Sequence, residues 1–153
     1  MRRTSRCAFV CLALFLTVGA AHANCKVTSG PLSFGPYDPL TGSMSSTSGV
    51  IAVSCSESPS PTVRVRATPS AVSGSFAPRR MRQTGGQETL AYNLYVDPGG
   101  NGVWGDGSGG TLTLSDNVAP GQSWIVTIYA KLPPGQDVTP GAYTDTINVV
   151  VEF

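Results

Sequence analysis

Short runs of alternating apolar and polar residues, each closed by glycine or proline, fill this chain and leave no room for a helical core. Gly and Pro together make up 30 of the 153 residues, 18 and 12 respectively. Inside a helix each Gly costs roughly 1 kcal/mol and each Pro about 3 relative to Ala, and no stretch repeats its apolar residues with a 3.6 period. The alternation instead has period two. Val63, Val65 and Ala67 share one face, with Arg64 and Arg66 on the other. Leu90, Tyr92, Leu94 and Val96 repeat the pattern, as do Trp124, Val126, Ile128 and Ala130. Val50, Ile51 and Val53 lead into Cys55. Leu32, Phe34 and Tyr37 suggest a first strand, which Pro31, Pro36 and Pro39 keep at a sheet edge. A short strand over 111–114 and an edge strand around 75–81 fit the remainder, with a glycine-dense hairpin over 98–110. The last run is the longest: Tyr143, Ile147, Val149, Val151 and Phe153 lie on one face, interrupted by Asp145. Pro59-Ser60-Pro61, Pro133-Pro134-Gly135 and Pro140-Gly141 punctuate the chain. About seven strands at this turn spacing predict an all-β fold, an antiparallel β-sandwich.

The first 23 residues do not fit that pattern. Arg2, Arg3 and Arg6 precede an apolar run over 8–21, and Ala21-His22-Ala23 offers a small-x-small cleavage site. These three parts predict a secretory signal peptide over 1–23 and one domain over 24–153. The apolar run is shorter than the ~20 residues of a spanning helix, so no membrane span is expected after cleavage. A lipidated Cys25 is a poor fit, because Asn24 stands where a small residue is required. Cleavage removes three of the 10 basic residues and leaves seven against 9 acidic ones. A slightly acidic domain lacks the basic surface that nucleic acid requires. Cleavage also removes His22, the single histidine. Without it there is no Ser-His-Asp or Cys-His site and no His-ligated zinc, and no phosphate-binding glycine loop occurs. The sequence therefore predicts no enzyme activity, no metal and no cofactor. Cys25 and Cys55 remain, and in an exported protein they read as one disulfide, the alternative being two free buried thiols.

Residues 146–151 carry neither charge nor proline. A long apolar strand at an edge invites pairing unless something covers it. The cover here is an earlier strand, a partner chain, or a strand supplied in trans. Other features admit two readings each. Asp97, Asn101 and Asp106 in the glycine-rich loop could ligate calcium, but the motif occurs once and lacks a closing Glu, which favours a plain hairpin loop. Arg79, Arg80 and Arg82 could meet an anionic ligand or partner, against a solvated loop. Trp104 could be an exposed adhesive contact, against a ring folded back on the sandwich. Asp145, on an apolar face, accepts hydrogen bonds from backbone amides or a Tyr hydroxyl, or lies at a strand end.

Several motifs, in order, resemble those of the spore coat protein U domain family, which includes subunits of archaic (Csu-type) chaperone–usher pili. Leu90-Ala91-Tyr92-Asn93-Leu94-Tyr95-Val96-Asp97 is similar to its central motif, and Val103-Trp104-Gly105-Asp106-Gly107 to the one after it. Gly135-Gln136, Pro140-Gly141, Tyr143 and Asp145-Thr146 resemble its ending, and Leu32, Phe34-Gly35, Tyr37, Val53 and Cys55 its front half. The resemblance implies an immunoglobulin-like pilin fold lacking its final strand. It also implies partners: a periplasmic chaperone, an outer-membrane usher and other pilin subunits, on a route through the periplasm to the cell surface. The donor-strand groove would be lined by Leu32, Phe34, Ile147, Val149, Val151 and Phe153, and Cys25–Cys55 would pin the first strand to the second. One departure stands out. A donor arm needs roughly ten residues at ~3.3 Å each, whereas cleavage after Ala23 leaves only Asn24 ahead of Cys25. The expectation is a subunit that accepts a strand and donates none from its N-terminus, at a tip or other terminal position. The rival readings are a self-completing secreted coat or matrix protein, and a carbohydrate-binding adhesin module built on Trp104.

Overall fold

The computed structural model describes residues 24–56 and 62–153; the expected signal peptide and the turn at Pro59-Ser60-Pro61 lie outside them. Nine strands form, in chain order β1 (Cys25–Ser29), β2 (Ser45–Cys55), β3 (Thr62–Ala67), β4 (Arg79–Gln83), β5 (Thr89–Tyr95), β6 (Leu114–Asn117), β7 (Ser123–Leu132), β8 (Tyr143–Thr144) and β9 (Val149–Glu152). The one 3-10 turn among the described residues, Pro39–Thr41, is capped by Asp38, whose carboxylate accepts the Leu40 N–H. The strands form two antiparallel sheets of unequal size. The larger runs β1-β2-β7-β5-β4-β8, and the smaller β6-β3-β9. This is an immunoglobulin-like antiparallel sandwich whose smaller sheet leaves part of the larger one uncovered.

The alternation in the sequence accounts for the core. Val63, Val65 and Ala67 of β3 turn inward and are buried, while Arg64 points out. They meet Ile51 and Val53 of β2, Leu90, Tyr92 and Leu94 of β5, and Val126, Ile128, Ala130 and Leu132 of β7. Each such aliphatic side chain contributes about 1.5–3 kcal/mol when fully buried. Trp124, at the start of β7, is half-buried against this cluster. β1 lies on the far edge of the large sheet, in register with β2 from Cys25↔Cys55 to Ser29↔Ile51. The two cysteines form a disulfide across that pair.

Four expectations about strands are corrected. The first strand is Cys25–Ser29, not the stretch around Leu32 and Phe34. Pro31 and Pro36 lack the N–H a ladder needs, and Gly35 has a φ of 72°, so 30–38 crosses the end of the sandwich as irregular chain. Tyr37 ties that crossing down: its hydroxyl donates to the Pro133 carbonyl (3.1 Å) and accepts the Gln136 N–H (2.9 Å). The long C-terminal strand is likewise not one strand. β8 pairs with β4 in the large sheet, and β9 pairs with β3 in the small one. The chain changes sheets over 145–148. The expected edge strand near 75–81 begins later, at Arg79, and is internal, between β5 and β8. The strand expected over 111–114 begins at Leu114, after an isolated Trp104↔Leu112 bridge.

Candidate functional site

The crossover over 145–148 and the irregular segment after β1 face each other across an open groove. One cleft of about 410 Å³ lies between Ser29–Leu32 and Phe34 on one wall and 143–147 and Val149 on the other. Its floor is the inner face of the large sheet, at Ile51, Leu94 and Ile128, together with Trp104. A second cleft of about 490 Å³ continues it between 32–37 and 138–143. The two share Leu32, Phe34, Met81 and Tyr143, so the gap runs the length of the sandwich end. Val27 reports the missing cover. It shares an inward face with the fully buried Val53 of β2, its partner in register, yet is 39% exposed.

Backbone hydrogen bonding divides along the C-terminal wall. Thr146 and Asn148 face the 68–71 segment: Thr146 O accepts the Ala71 N–H, Asn148 O accepts the Thr68 N–H, and Asn148 N–H reaches Thr68 Oγ1. Asp145 and Ile147 make no backbone hydrogen bond among the described residues, and neither do residues 30–34 opposite. Alternate residues of an extended chain present their N–H and C=O to opposite sides. The wall is therefore bonded on one side and open on the side that faces the groove, with an apolar floor beneath it.

Of the groove residues expected from the sequence, Leu32, Phe34, Ile147 and Val149 come together around the first cleft. Val151 and Phe153 do not reach it. Val151 sits opposite Val65 at the far part of β9, and Phe153 lies past the last strand pair, 56% exposed. Met81, Tyr92, Leu94 and Ile128 join the lining without having been singled out, because inward alternation cannot separate a groove floor from a closed core.

The surface-ligand reading of Trp104 and Arg79 is overturned. Trp104 is 3% exposed; its backbone N–H bonds Leu94 O and its indole N–H approaches Val65 O at 3.5 Å. No aromatic platform is presented there, which removes the basis for a carbohydrate module at that ring. Arg79 is fully buried, with its guanidinium donating to the carbonyls of Phe76 (3.0 Å), Thr68 (3.1 Å) and Trp104 (3.1 Å) and lying over the Phe76 ring. Its Nε has no partner. Burial pulls the guanidinium below its ordinary value, and the nearby Tyr92 and Asp145 push it back up. Arg80 and Arg82 alternate outward and are exposed, Arg80 donating to Thr89 Oγ1. The signal was present in the sequence: Arg79 is in phase with Met81.

Asp145 stands in the groove wall. Its Oδ2 accepts the Tyr92 O–H and its Oδ1 the Thr146 N–H, both at 2.8 Å. Burial raises the Tyr92 phenol far above its ordinary value, the hydrogen bond to Asp145 adding to the rise, so it remains a donor. In the glycine-rich loop, Asp97 and Asp106 are turned onto their own backbone. Asp97 accepts the N–H groups of Gly102, Asn101 and Gly100, and Asp106 accepts first the hydroxyl (2.6 Å) and then the N–H of Ser108. Those bonds hold both carboxyls below the usual range.

The model of the Spore Coat Protein U domain family matches residues 12–150. Protein U of Myxococcus xanthus is 30% identical over 145 residues, covering 88% of this chain and 78% of that protein. Among solved structures, one similar chain is in the CsuC–CsuE chaperone–tip adhesion subunit pre-assembly complex from the archaic chaperone–usher Csu pili of Acinetobacter baumannii (TM-score 0.61, 21% identity, 86% of this chain). Another is in a chaperone–tip adhesin complex of CFA/I fimbriae biogenesis (TM-score 0.55, 15% identity, 84% of this chain). At those identities the likeness is one of fold. This chain spans 40% and 41% of the two solved chains.

Proposed function

Because the chain belongs to the Spore Coat Protein U domain family, we propose that it is a secreted structural subunit of a surface pilus or coat. Its sandwich is completed by a strand from another polypeptide, first a periplasmic chaperone and then a neighbouring subunit, on assembly through an outer-membrane usher. The observation that carries this reading is the half-bonded wall at 145 and 147, standing over an apolar floor. An extended segment laid there would gain main-chain hydrogen bonds from the open edge and insert alternate side chains between Leu32, Phe34, Ile147 and Val149. The chemistry is association alone and uses no catalytic group.

The proposed place in the polymer is terminal. β1 is committed in cis, paired along its length to β2 and closed by the Cys25–Cys55 disulfide. With cleavage after Ala23, no arm precedes it that could reach into a neighbour's groove. N-terminal sequencing of the secreted protein tests this position; eight or more residues ahead of Cys25 would overturn it.

The groove itself is tested by co-expression with a pilus chaperone and co-purification. Val149→Asp places a charge at the groove wall and is expected to abolish capture by the chaperone. Undiminished co-purification of that variant would sink the assignment.

A further inference from the structure

Asp145 is the one charged side chain among the residues lining the first cleft, whose other walls are mainly apolar. Between Phe34, Met81 and Ile147 stands the carboxylate of Asp145, half-buried and braced by Tyr92, whose ring meets that of Phe34 edge-on at 6.0 Å. A carboxylate offers about four acceptor sites. Asp145 fills two of them, one on each oxygen, with the Tyr92 O–H and the Thr146 N–H. Asp145 is half-buried and lines the first cleft, so its remaining acceptor sites are open to solvent while the groove is empty. A strand laid in the groove displaces that solvent. An aliphatic side chain over Asp145 would leave a buried acceptor unsatisfied, and an acidic one would add a like charge; both are costly. The single ion pair among the described residues joins Arg66 to Glu152, so Asp145 has no cation in contact. Arg79 pairs in register with Tyr92, and its fully buried guanidinium already interacts with the Asp145 charge at longer range. A second cation in the filled groove would itself be uncompensated.

We propose that the groove selects its strand at one register position, the one facing Asp145, where it takes a neutral hydrogen-bond donor (Ser, Thr or Asn) and rejects an aliphatic or acidic residue. This rests on the strand-acceptor reading and adds partner choice to it. The neighbours of Asp145 supply adhesion through apolar contact, and Asp145 supplies discrimination, because a polar group left unpaired on burial penalises the wrong partner more than any extra methylene rewards the right one.

The test uses the secreted full-length chain and synthetic ten-residue peptides with valine at alternate positions. Each inward position in turn is replaced by Ser, Glu or Lys, and binding is read by fluorescence anisotropy and thermal shift. At one position the Ser peptide is expected to bind at least tenfold more tightly than the all-Val peptide, with Glu weakest. Asp145→Leu is expected to reverse the Ser-over-Val ranking. Asp145→Asn, which keeps the size and an acceptor and gains a donor, is expected to recover binding of the Glu peptide at least tenfold. Near-UV circular dichroism identifies a variant that has lost its packing, and the Asp145→Asn arm then decides. Equal binding of Ser and Val peptides at every position, or a ranking unchanged in the variants, overturns selection by Asp145. A Lys peptide that outbinds Ser overturns the neutral donor. Failure of every peptide to bind the wild-type chain defeats the strand-acceptor reading itself, a separate result.

Discussion

Arg79 holds three carbonyl oxygens from three different segments, at Thr68, Phe76 and Trp104, with one planar guanidinium. Removing it leaves those acceptors without a partner and opens a void. Arg79→Ala is expected to cost about 3 kcal/mol, read as a lowered midpoint in urea unfolding. Arg79→Lys keeps the charge but not the fork, so it is expected to recover less than half of that loss. The Cys25–Cys55 bond, across a sequence separation of 30, acts on the unfolded chain. Cys25→Ser is expected to lose roughly 3 kcal/mol of stability, and dithiothreitol to reproduce the loss in the wild type. The residue scale is also where the sequence is hardest to read. Arg79 and Trp104 belong to types that favour surfaces and contacts, and a basic cluster or a Trp in a glycine-rich loop carries no mark of burial. Arg79 was legible only through its phase with Met81; for Trp104 the sequence offered a ring folded back on the sandwich as one of two readings, and the bridge to Leu112 that holds it inward spans the loop. Asp145 was recognisable as an exception on an apolar face; its partner Tyr92, far off in the chain, was not.

At the scale of elements, the 138–143 segment is held to the turn between β4 and β5 by a small latch. Glu88 Oε2 accepts the Thr139 N–H (2.6 Å), the Thr139 hydroxyl (3.0 Å) and the Tyr143 hydroxyl (3.3 Å), and Gln83 donates to Thr139 Oγ1 and Pro140 O. The Thr139 N–H is the largest of the influences that hold the Glu88 carboxyl below its ordinary value. A carboxylate with a lowered folded pKa adds stability above the ordinary carboxylate range and loses it as pH falls through the folded value. Glu88→Gln is therefore expected to melt below the wild type at neutral pH, with the gap closing on acidification. A constant gap across the titration would show that charge is not what holds the latch. Alternation made β3, β5, β7 and the second half of β2 legible, because each turns a run of buried apolar side chains inward; the Ser/Thr-rich first half of β2 has no buried residue and gave no such signal. It could not divide β8 from β9. Tyr143, Ile147 and Val149 keep one phase through the crossover, and periodicity records which face a residue takes, not which sheet it joins.

At the scale of the molecule, a six-stranded sheet lies against a three-stranded one, and the uncovered inner face ends at Val27 and the groove floor. A strand that binds the folded chain and not the unfolded one raises its stability by mass action, by about 2.7 kcal/mol at a hundred times its Kd. The melting temperature of the chain is thus expected to climb with the concentration of a matching peptide and to be unmoved by a scrambled one, in differential scanning fluorimetry. The sandwich class was legible at this scale from turn spacing and period alone. The inequality of the sheets was not, since it depends on which strands cross over.

The groove's two walls come from opposite ends of the polypeptide, one just after β1 and the other just before β9. Synthesis from the N-terminus delivers them at different times. The early hairpin of β1 and β2 can lock its disulfide while the rest of the chain is still arriving, whereas the groove does not exist until the last segment has emerged. A chain cut before Tyr143 would carry one wall of the groove without the other.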